Sequence, residues 1–401
     1  MNNSEQRKDT DVSPVESASM WMYLWDLADG GYAEVFARLK ENRLDAISLA
    51  SAYHAGKFLT PHNPKRKVVF LEDGTVYFRP RQELFGRVQP RVNSLVENGD
   101  DLAKTVREAE KAGLQVNAWV VCCHNTPLGT AYPDIACRNA FGDAVSHNLC
   151  PSHPDVRAYL RGVVRNVAEY GVGRIELEAM QFQPFVHGFH HEREGIALNP
   201  AMRFLLGLCF CPSCRARAAA AHVEIAKVLQ FTKETLERFF EDERNVADRY
   251  ASVSDLPEEL FDAFHAWRRS VIVSLAGELQ EAVNGTSTVL RPMATLDADY
   301  RVVIANDPAA VAQITGGVLA LGYVKDGSAL RAPLAELQRN ISGKEIVAGF
   351  QVGLPESGGR EEFADRMRVA REMGIRKFNF YNYGFIPHAR LGWIREAVKS
   401  D

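Results

Sequence analysis

The chain of 401 residues lacks any apolar run long enough to cross a membrane, and it has little excess charge of either sign. Its formal net charge of −4 gives no reason to expect nucleic acid or an acidic membrane as a partner. Residues 1–19 are polar and lack the apolar core of a secretion signal, so we expect a disordered tail and a cytoplasmic protein. Seven cysteines in such a protein predict reduced thiols or metal ligands, not a disulfide framework.

A phosphate-binding Gly-x-Gly-x-x-Gly motif is also missing after the first predicted strand. What the chain does contain is a repeated rhythm, in which each apolar, strand-like run is followed by helical sequence. Eight such runs can be counted, and eight strands are the number that closes a (β/α)8 barrel. These predicted strands begin near Met20, Leu44, Gln115, Arg174, Thr288, Gly317, Glu345 and Ile375. The sequence therefore predicts an α/β fold with one (β/α)8 TIM-barrel domain over residues 20–401.

Two insertions interrupt this rhythm. After strand 2, residues 67–71 and 75–78 are strand-like and are joined by Glu-Asp-Gly, which predicts a β-hairpin in an insertion at about 60–90. Roughly 100 residues separate strands 4 and 5, which is too many for a simple loop. This second insertion, at about 181–285, contains the clustered cysteines and a long predicted helix at 257–283.

The fourth predicted strand carries the strongest candidate for chemistry. Its sequence Arg-Ile-Glu-Leu-Glu alternates aliphatic and acidic side chains, so Glu176 and Glu178 share one face of the strand. Glu178 lies at the carboxyl end, where barrel enzymes place their catalytic groups. We interpret Glu178 as a general acid/base whose pKa is raised by Glu176, one pleat deeper, and by a partly dry barrel mouth. The alternative is a structural Glu178 paired with Arg174 inside the barrel.

A glycosidase needs a second carboxylate, about 5–10 Å from the first. Asp297, Asp326 and Glu356 follow strands 5, 6 and 7, Asp26 follows strand 1, and the sequence does not choose between them. Other residues at the same predicted face have aromatic rings or hydrogen-bonding groups that suit a sugar. These substrate-binding candidates are Trp25, Asp26, His54, His124, Asn125, His187, His190, His191, Tyr381 and Tyr383. The alternative for the three histidines at 187–191 is a catalytic metal site.

The cysteines form a more specific pattern. Cys209, Cys211 and Cys214 place three thiols within six residues, which is typical of tetrahedral zinc sites. Cys150 is the best fourth ligand, because it heads the helix that leads into strand 4. Four thiolates leave no open coordination position, so this zinc ion would be structural. The alternative is a cysteine cluster without metal.

Three segments carry a resemblance to a known group. Residues 149–159 (Leu-Cys-Pro-Ser-His-Pro-Asp-Val-Arg-Ala-Tyr), the acidic strand 4 and the last predicted strand are similar to the hypothetical glycoside-hydrolase-like barrels. The Cys-x-Cys-x-x-Cys loop looks like the zinc cluster of Cys-containing β-galactosidase barrels. The resemblance implies a (β/α)8 hydrolase that acts on a small glycoside or oligosaccharide, with Glu178 as the catalytic carboxylate of strand 4. Leu177 precedes it where the retaining enzymes have Asn.

Two other functions stay open at this point. One is a metal-dependent sugar isomerase or epimerase, and the other is a carbohydrate-binding barrel without catalysis. All three predict a small carbohydrate or glycoside as partner, and the sequence is also compatible with a homo-oligomer.

Overall fold

Eight parallel strands close into a barrel in the computed structural model, which describes residues 13–96, 99–186, 191–247, 249–355 and 358–399. Each strand pairs with the next along the chain, and β8 pairs with β1 to close the ring. The strands are β1 (Ser17–Met22), β2 (Ala46–Tyr53), β3 (Gln115–Val121), β4 (Arg174–Glu178), β5 (Val289–Thr295), β6 (Gly317–Leu321), β7 (Glu345–Gln351) and β8 (Lys377–Tyr381). The (β/α)8 prediction is therefore confirmed.

Helices surround the barrel, and every strand is followed by at least one of them. They are α1 (Leu24–Gly30), α2 (Tyr32–Glu41), α3 (Asp101–Ala112), α4 (Thr126–Ala131), α5 (Pro154–Ala168), α6 (Pro200–Gly207), α7 (Pro212–Ala220), α8 (Ile225–Glu241), α9 (Arg244–Ala247), α10 (Glu258–Ala282), α11 (Ala298–Ile304), α12 (Pro308–Thr315), α13 (Gly327–Ile341), α14 (Arg360–Glu372) and α15 (Leu391–Val398). Short 3-10 turns occupy Gln82–Leu84, Ser94–Val96, Val253–Asp255 and His388–Arg390. The main core lies between the strands and these helices. None of the helices in the described ranges is long and apolar enough to cross a membrane.

The hairpin after β2 is built from other strands than predicted. Lys57–Leu59 pairs antiparallel with Val68–Phe70, whereas Thr75–Val76 pairs with the end of β2 and with Arg91–Val92. The physical reason is a bulge in β2 between Ala50 and Ala52, where the strand changes register and takes up a new neighbour. A further short ribbon joins Ala136–Arg138 to Ala144–Leu149.

The N-terminal boundary also differs from the prediction. β1 starts at Ser17, inside the segment 1–19 that was expected to be a disordered tail, and Ser17 pairs with Lys377 of β8. Barrel closure needs this pairing, so polar residues 17–19 are held although their composition favours disorder. Residues 1–12 lie outside the described part of the chain.

The insertion between β4 and β5 is helical, as predicted. It contains α6 to α10, and α10 matches the helix predicted at 257–283 almost residue for residue. One side of α10 buries Phe261, Phe264, Ile272, Leu275 and Leu279, and the helix packs against α5, α8 and α12. The insertion thereby forms part of the helical layer around the barrel.

Candidate functional site

Glu176 lies at the centre of the barrel and is fully buried. It accepts hydrogen bonds from Ser48 Oγ (2.8 Å) and Asn379 Nδ2 (2.8 Å), and it pairs with Arg174 Nε (2.8 Å). Arg174 also donates to Ser19 Oγ (2.7 Å), so the network links β1, β2, β4 and β8. Arg174 is therefore the partner of Glu176, and the alternative that it pairs with Glu178 is wrong. Glu176 is a structural carboxylate.

Glu178 lies two residues further along β4, at its carboxyl end. Trp119 of β3 donates a hydrogen bond from Nε1 to Glu178 Oε2 (2.6 Å). Burial raises the pKa of Glu178, and the nearby His54 and the Trp119 hydrogen bond oppose this rise. Of the two predicted causes, the dry environment accounts for the rise. Repulsion by Glu176 is not among the causes, because Arg174 compensates the charge of Glu176.

A cavity of about 170 Å³ opens beside Glu178. Among its described lining residues, Glu178 is the single carboxylate. The Nε1 atom of Trp21 is buried at this cavity without a hydrogen-bond partner in the described part of the chain, so it can donate to a bound ligand. The lining residues are Trp21, Tyr53, Trp119, Glu178, Met293, Leu321, Tyr323, Gln351 and Tyr381.

Three tyrosine hydroxyls meet next to Glu178. Tyr23 donates to Tyr53 (3.2 Å between the hydroxyl oxygens), and Tyr381 interacts with both. Burial raises the pKa of Tyr23 and Tyr53 well above the usual value, and it raises the pKa of Tyr381 to about 12. The three hydroxyls therefore keep their protons at neutral pH and act as hydrogen-bond donors.

The predicted histidines His54 and His124 lie together at this end of the barrel. The His54 ring stacks on Tyr53 (4.4 Å between centroids) and on His124 (4.6 Å). The Nδ1 atom of His54 donates to the carbonyl oxygen of Ala55 (2.6 Å), which fixes the ring. The proximity of His54 also lowers the pKa of Glu178, against the effect of burial.

Other predicted site residues lie elsewhere. Trp25 is buried behind the cavity wall, where it stacks on Tyr23 (4.5 Å). Asn125 caps α4 by accepting from the Leu128 amide (3.0 Å), so its side chain serves the fold. His191 is exposed, whereas His187 and His190 lie outside the described residues.

Asp26 and Tyr383 line a second cavity of about 130 Å³, together with Arg38, His62 and His388. Asp26 accepts a hydrogen bond from the backbone amide of Tyr23 (2.9 Å), and burial raises its pKa to about 7. Arg38 donates to the Tyr383 hydroxyl (2.9 Å). The structure therefore separates Asp26 and Tyr383 from Glu178.

Two of the candidates for a second carboxylate cap helices. Asp297, which is exposed, and Asp326, which is half-buried, are the N-caps of α11 and α13. They accept from the amides of Tyr300 (2.9 Å) and Ala329 (3.0 Å). Neither residue lines the Glu178 cavity. Glu356 lies outside the described residues.

The four predicted metal ligands form one buried cluster, in which the Sγ atoms of Cys150, Cys209, Cys211 and Cys214 lie within 4.8 Å of one another. Cys150 Sγ is 3.5 Å from Cys214 Sγ and from Cys211 Sγ, and 3.9 Å from Cys209 Sγ. Tetrahedral zinc with bonds of about 2.3 Å separates its sulfur ligands by about 3.8 Å, so the cluster fits such an ion. Cys137, which the sequence analysis overlooked, contacts Cys150 and Cys209.

Several residues of the site were also missed. Trp21, Tyr23, Tyr53 and Trp119 belong to or directly follow β1, β2 and β3, and in the sequence they look like core residues. The sequence signal that could have identified them is the alternation of side chains along each strand, which places Trp21 and Tyr23 on the same face. Applied to all eight strands, this alternation identifies the residues that face the inside.

The closed ring of eight parallel strands with surrounding helices defines a class, the (β/α)8 TIM barrels. No protein-family model and no curated protein matches the sequence. Among solved structures, the chain is similar to the PgaB (BpsB) glycoside hydrolase domain from Bordetella bronchiseptica, with 12% identity and a TM-score of 0.59. That match covers 97% of this chain and 100% of the other.

Two β-galactosidases are similar as well. The enzyme from Bacillus circulans sp. alkalophilus has 11% identity and a TM-score of 0.58, with 96% of this chain and 56% of that chain covered. The enzyme from Marinomonas ef1 has 10% identity and a TM-score of 0.56, with coverage of 95% and 59%. The chain thus spans little more than half of these β-galactosidases. Identities this low show a common fold.

Proposed function

We propose that the protein is a glycoside hydrolase in which Glu178 acts as general acid/base on a small glycoside or oligosaccharide. The observation that carries this proposal is the position of Glu178, a carboxyl group with a raised pKa at the carboxyl end of β4 and at the wall of an aromatic cavity. A general acid must hold its proton near neutral pH, and a dry environment has this effect on a carboxyl group.

The cavity suits one sugar ring. Its volume of about 170 Å³ is smaller than the roughly 300–1,000 Å³ of sites for drug-sized ligands. Trp21, Trp119 and Tyr381 offer aromatic faces to the apolar face of a sugar, while the Trp21 indole and the tyrosine hydroxyls offer hydrogen bonds to its hydroxyl groups. Further sugar units of an oligosaccharide would extend out of the cavity.

In the proposed reaction, the Glu178 carboxyl group gives its proton to the glycosidic oxygen while the bond from that oxygen to the anomeric carbon breaks. A water molecule supplies the hydroxyl group for the anomeric carbon, and its proton goes to a carboxylate. For the second carboxylate we favour Glu356 over Asp297 and Asp326, because both aspartates are engaged as helix caps and neither lines the Glu178 cavity.

Replacement of Glu178 by Gln tests the proposal, because Gln keeps the shape but has no transferable proton. On a glycoside with a poor leaving group we expect kcat/KM to fall by ~10²–10⁴, and on a nitrophenyl glycoside the loss should be smaller. Glu356→Gln should impair turnover of both substrates, whereas Asp326→Asn, at a helix cap outside the Glu178 cavity, is the matched control. Normal turnover by Glu178→Gln on both substrates would exclude Glu178 as the acid.

One observation favours the second candidate, a carbohydrate-binding barrel without catalysis. In the described part of the chain, Glu178 has no carboxylate partner at the cavity wall. Calorimetric titration with free sugars and oligosaccharides separates the two functions. Binding that depends on Trp119, together with no turnover of any aryl glycoside, would establish the binding function.

The cysteine cluster is proposed to hold one structural zinc ion. Its four sulfur atoms have tetrahedral spacing, and all four are buried, so no position is left for a substrate. Backbone amides of Arg138 and Cys214 donate to Cys209 Sγ and Cys211 Sγ (both 3.4 Å), as expected around thiolates. All seven cysteines are free thiols, which fits the proposed reducing cytoplasm.

A further inference from the structure

A third cavity, which we call the acidic groove, lies between the start of α10 and the start of α11. Its volume is about 540 Å³, compared with about 170 Å³ for the Glu178 cavity. The floor includes the apolar side chains of Phe261, Tyr300, Val302 and Val303. Exposed carboxylates line the rim, namely Glu258, Asp262, Asp297 and Asp299. The groove therefore combines an apolar floor with negative charge, and nothing in the proposed reaction uses it.

The floor of this groove is firmly held from below. Arg268 is buried, and its guanidinium group donates to the backbone carbonyls of Val302 (3.2 Å) and Val303 (2.7 Å). Because its hydrogen bonds are made to the chain beneath the floor, this cation fixes α11 against α10. A firmly held surface loses little conformational entropy when a partner binds.

The ribbon of residues 57–70, which we call the basic hairpin, has the opposite character. Its outer face exposes Leu59 (66%), Val68 and Phe70 (74%), with Lys57 directly opposite Phe70. Its connecting loop adds Lys65, Arg66 and Lys67, and Asp29 compensates part of this charge.

The inner face of the basic hairpin is occupied. Phe58 lies against Tyr23 (5.3 Å between ring centroids) and Phe385 (4.8 Å) at the mouth of the barrel. The ribbon is therefore anchored on one side and has an apolar patch on the other. Three large apolar side chains exposed together are typical of a surface that is covered by a partner.

We propose that the basic hairpin of one copy of this chain docks in the acidic groove of a second copy. Phe70 and Leu59 would enter the apolar floor, while Lys57 and the cationic loop would face the carboxylates of the rim. Charge complementarity selects this occupant, since two basic hairpins placed face to face would bring like charges together. The contact would cover both the apolar patch of the basic hairpin and the apolar floor of the acidic groove.

The symmetry of this contact follows from the positions of the two surfaces. The basic hairpin follows β2, whereas the acidic groove lies beside the loops after β4 and β5, so the same contact can repeat on every copy. When two copies make this contact once, it is head to tail and can continue into a closed ring or an open chain.

Variants at each of the two surfaces test the contact. The readout is sedimentation velocity at protein concentrations from about 1 to 100 µM, which covers transient association. We expect wild type to associate with increasing concentration, and Phe70→Asp and the double variant Asp262→Lys/Asp299→Lys each to weaken association by ~10-fold or more. All three positions are exposed, so the fold should persist. Phe240→Asp, on another exposed aromatic residue, is the matched control and should associate like wild type.

Mixing the two deficient variants gives the decisive result. Phe70→Asp retains its acidic groove and the double variant retains its basic hairpin, so together they should form a 1:1 dimer that does not grow further. Monomeric wild type over the whole range would overturn the proposal. So would loss of association in Phe70→Asp alone with the groove variant unaffected, because that pattern means a contact between two hairpins.

Discussion

At the scale of single residues, two glutamates on one strand have different tasks because their neighbours differ. Glu176 receives hydrogen bonds from Ser48 and Asn379 and a salt bridge from Arg174, whereas Glu178 has one indole donor and a cavity beside it. Their order along β4 was enough to choose Glu178 as the catalytic candidate. The hydrogen-bond donors that hold Glu176 could not be predicted, because Ser48 and Asn379 are 128 and 203 residues away from it in the chain.

Asp26 supports a prediction on stability. Burial raises its pKa from the ordinary 3.8 to about 7, so the folded protein binds this proton more tightly than the unfolded chain does. The resulting stabilisation is complete below pH ~4 and is lost as the pH rises through ~7. We expect Asp26→Asn to raise the free energy of unfolding at pH 8 by roughly 1–4 kcal/mol, with little effect at pH 4.

Urea unfolding of Asp26→Asn at several pH values measures this effect. Asn can still accept the hydrogen bond from the Tyr23 amide, so the local structure should persist. The control is Asp299→Asn, on an exposed carboxylate. An unchanged pH dependence in Asp26→Asn would contradict the prediction.

At the scale of secondary-structure elements, the junction between a strand and the next helix explains why two predicted catalytic aspartates have structural roles. In a (β/α) unit, the carboxyl end of the strand and the start of the helix are a few residues apart. An aspartate at this point can serve a substrate or cap the helix. Pro308 directly after Asp307 is a sequence signal for a helix cap, but Asp297 and Asp326 have no such proline. The sequence could not distinguish the two roles there.

The cap role of Asp297 is itself testable. Asp297→Ala leaves the Tyr300 amide without its acceptor, so we expect a loss of about 0.5–2 kcal/mol in unfolding free energy. Turnover at a temperature where the variant is folded should stay within twofold of wild type. Asp307→Ala, which removes the equivalent cap of α12, is the comparison. A hundredfold loss of kcat in Asp297→Ala alone would instead identify Asp297 as the second catalytic carboxylate.

The elements after β2 show a second limit of prediction. The sequence located the strand-like segments that contain Val68–Phe70 and Thr75–Val76, because their composition is local information. Their pairing depends on the bulge in β2 and on the strand Lys57–Leu59, which lies before both of them. Register and partner choice are properties of the assembled sheet, so a local hairpin signal can mislead.

At the scale of the whole molecule, the barrel was predictable because its rhythm repeats eight times and each repeat supports the others. The cavity was not, because its walls combine side chains from all eight strands or the residues after them. The cysteine cluster was predictable in part, since three ligands share one short motif. The fourth ligand, Cys150, was chosen from its position before α5. Because Cys150 lies outside the insertion, the cluster connects the insertion to the barrel.

Removal of zinc should therefore destabilise the whole protein. We expect wild type to bind one equivalent of zinc, and Cys211→Ser to lose it and to melt about 5–10 °C lower. Cys122→Ser, which changes a buried thiol outside the cluster, should keep its zinc. Zinc content by atomic emission and thermal unfolding are the measurements. A Cys211→Ser protein with wild-type zinc content would contradict the proposed site.

The closure of the barrel by its first and last strands has a consequence for synthesis on the ribosome. Ser19 and Phe378, whose hydrogen bond joins β1 to β8, are 359 residues apart. At about 5–20 residues per second, β1 waits roughly 20–70 s for its second neighbour. During this time the nascent chain presents one unpaired edge of β1, and such an edge readily pairs with another chain. Fast synthesis, or a chaperone that covers this edge until the C-terminal strand emerges, should therefore favour efficient production of the protein.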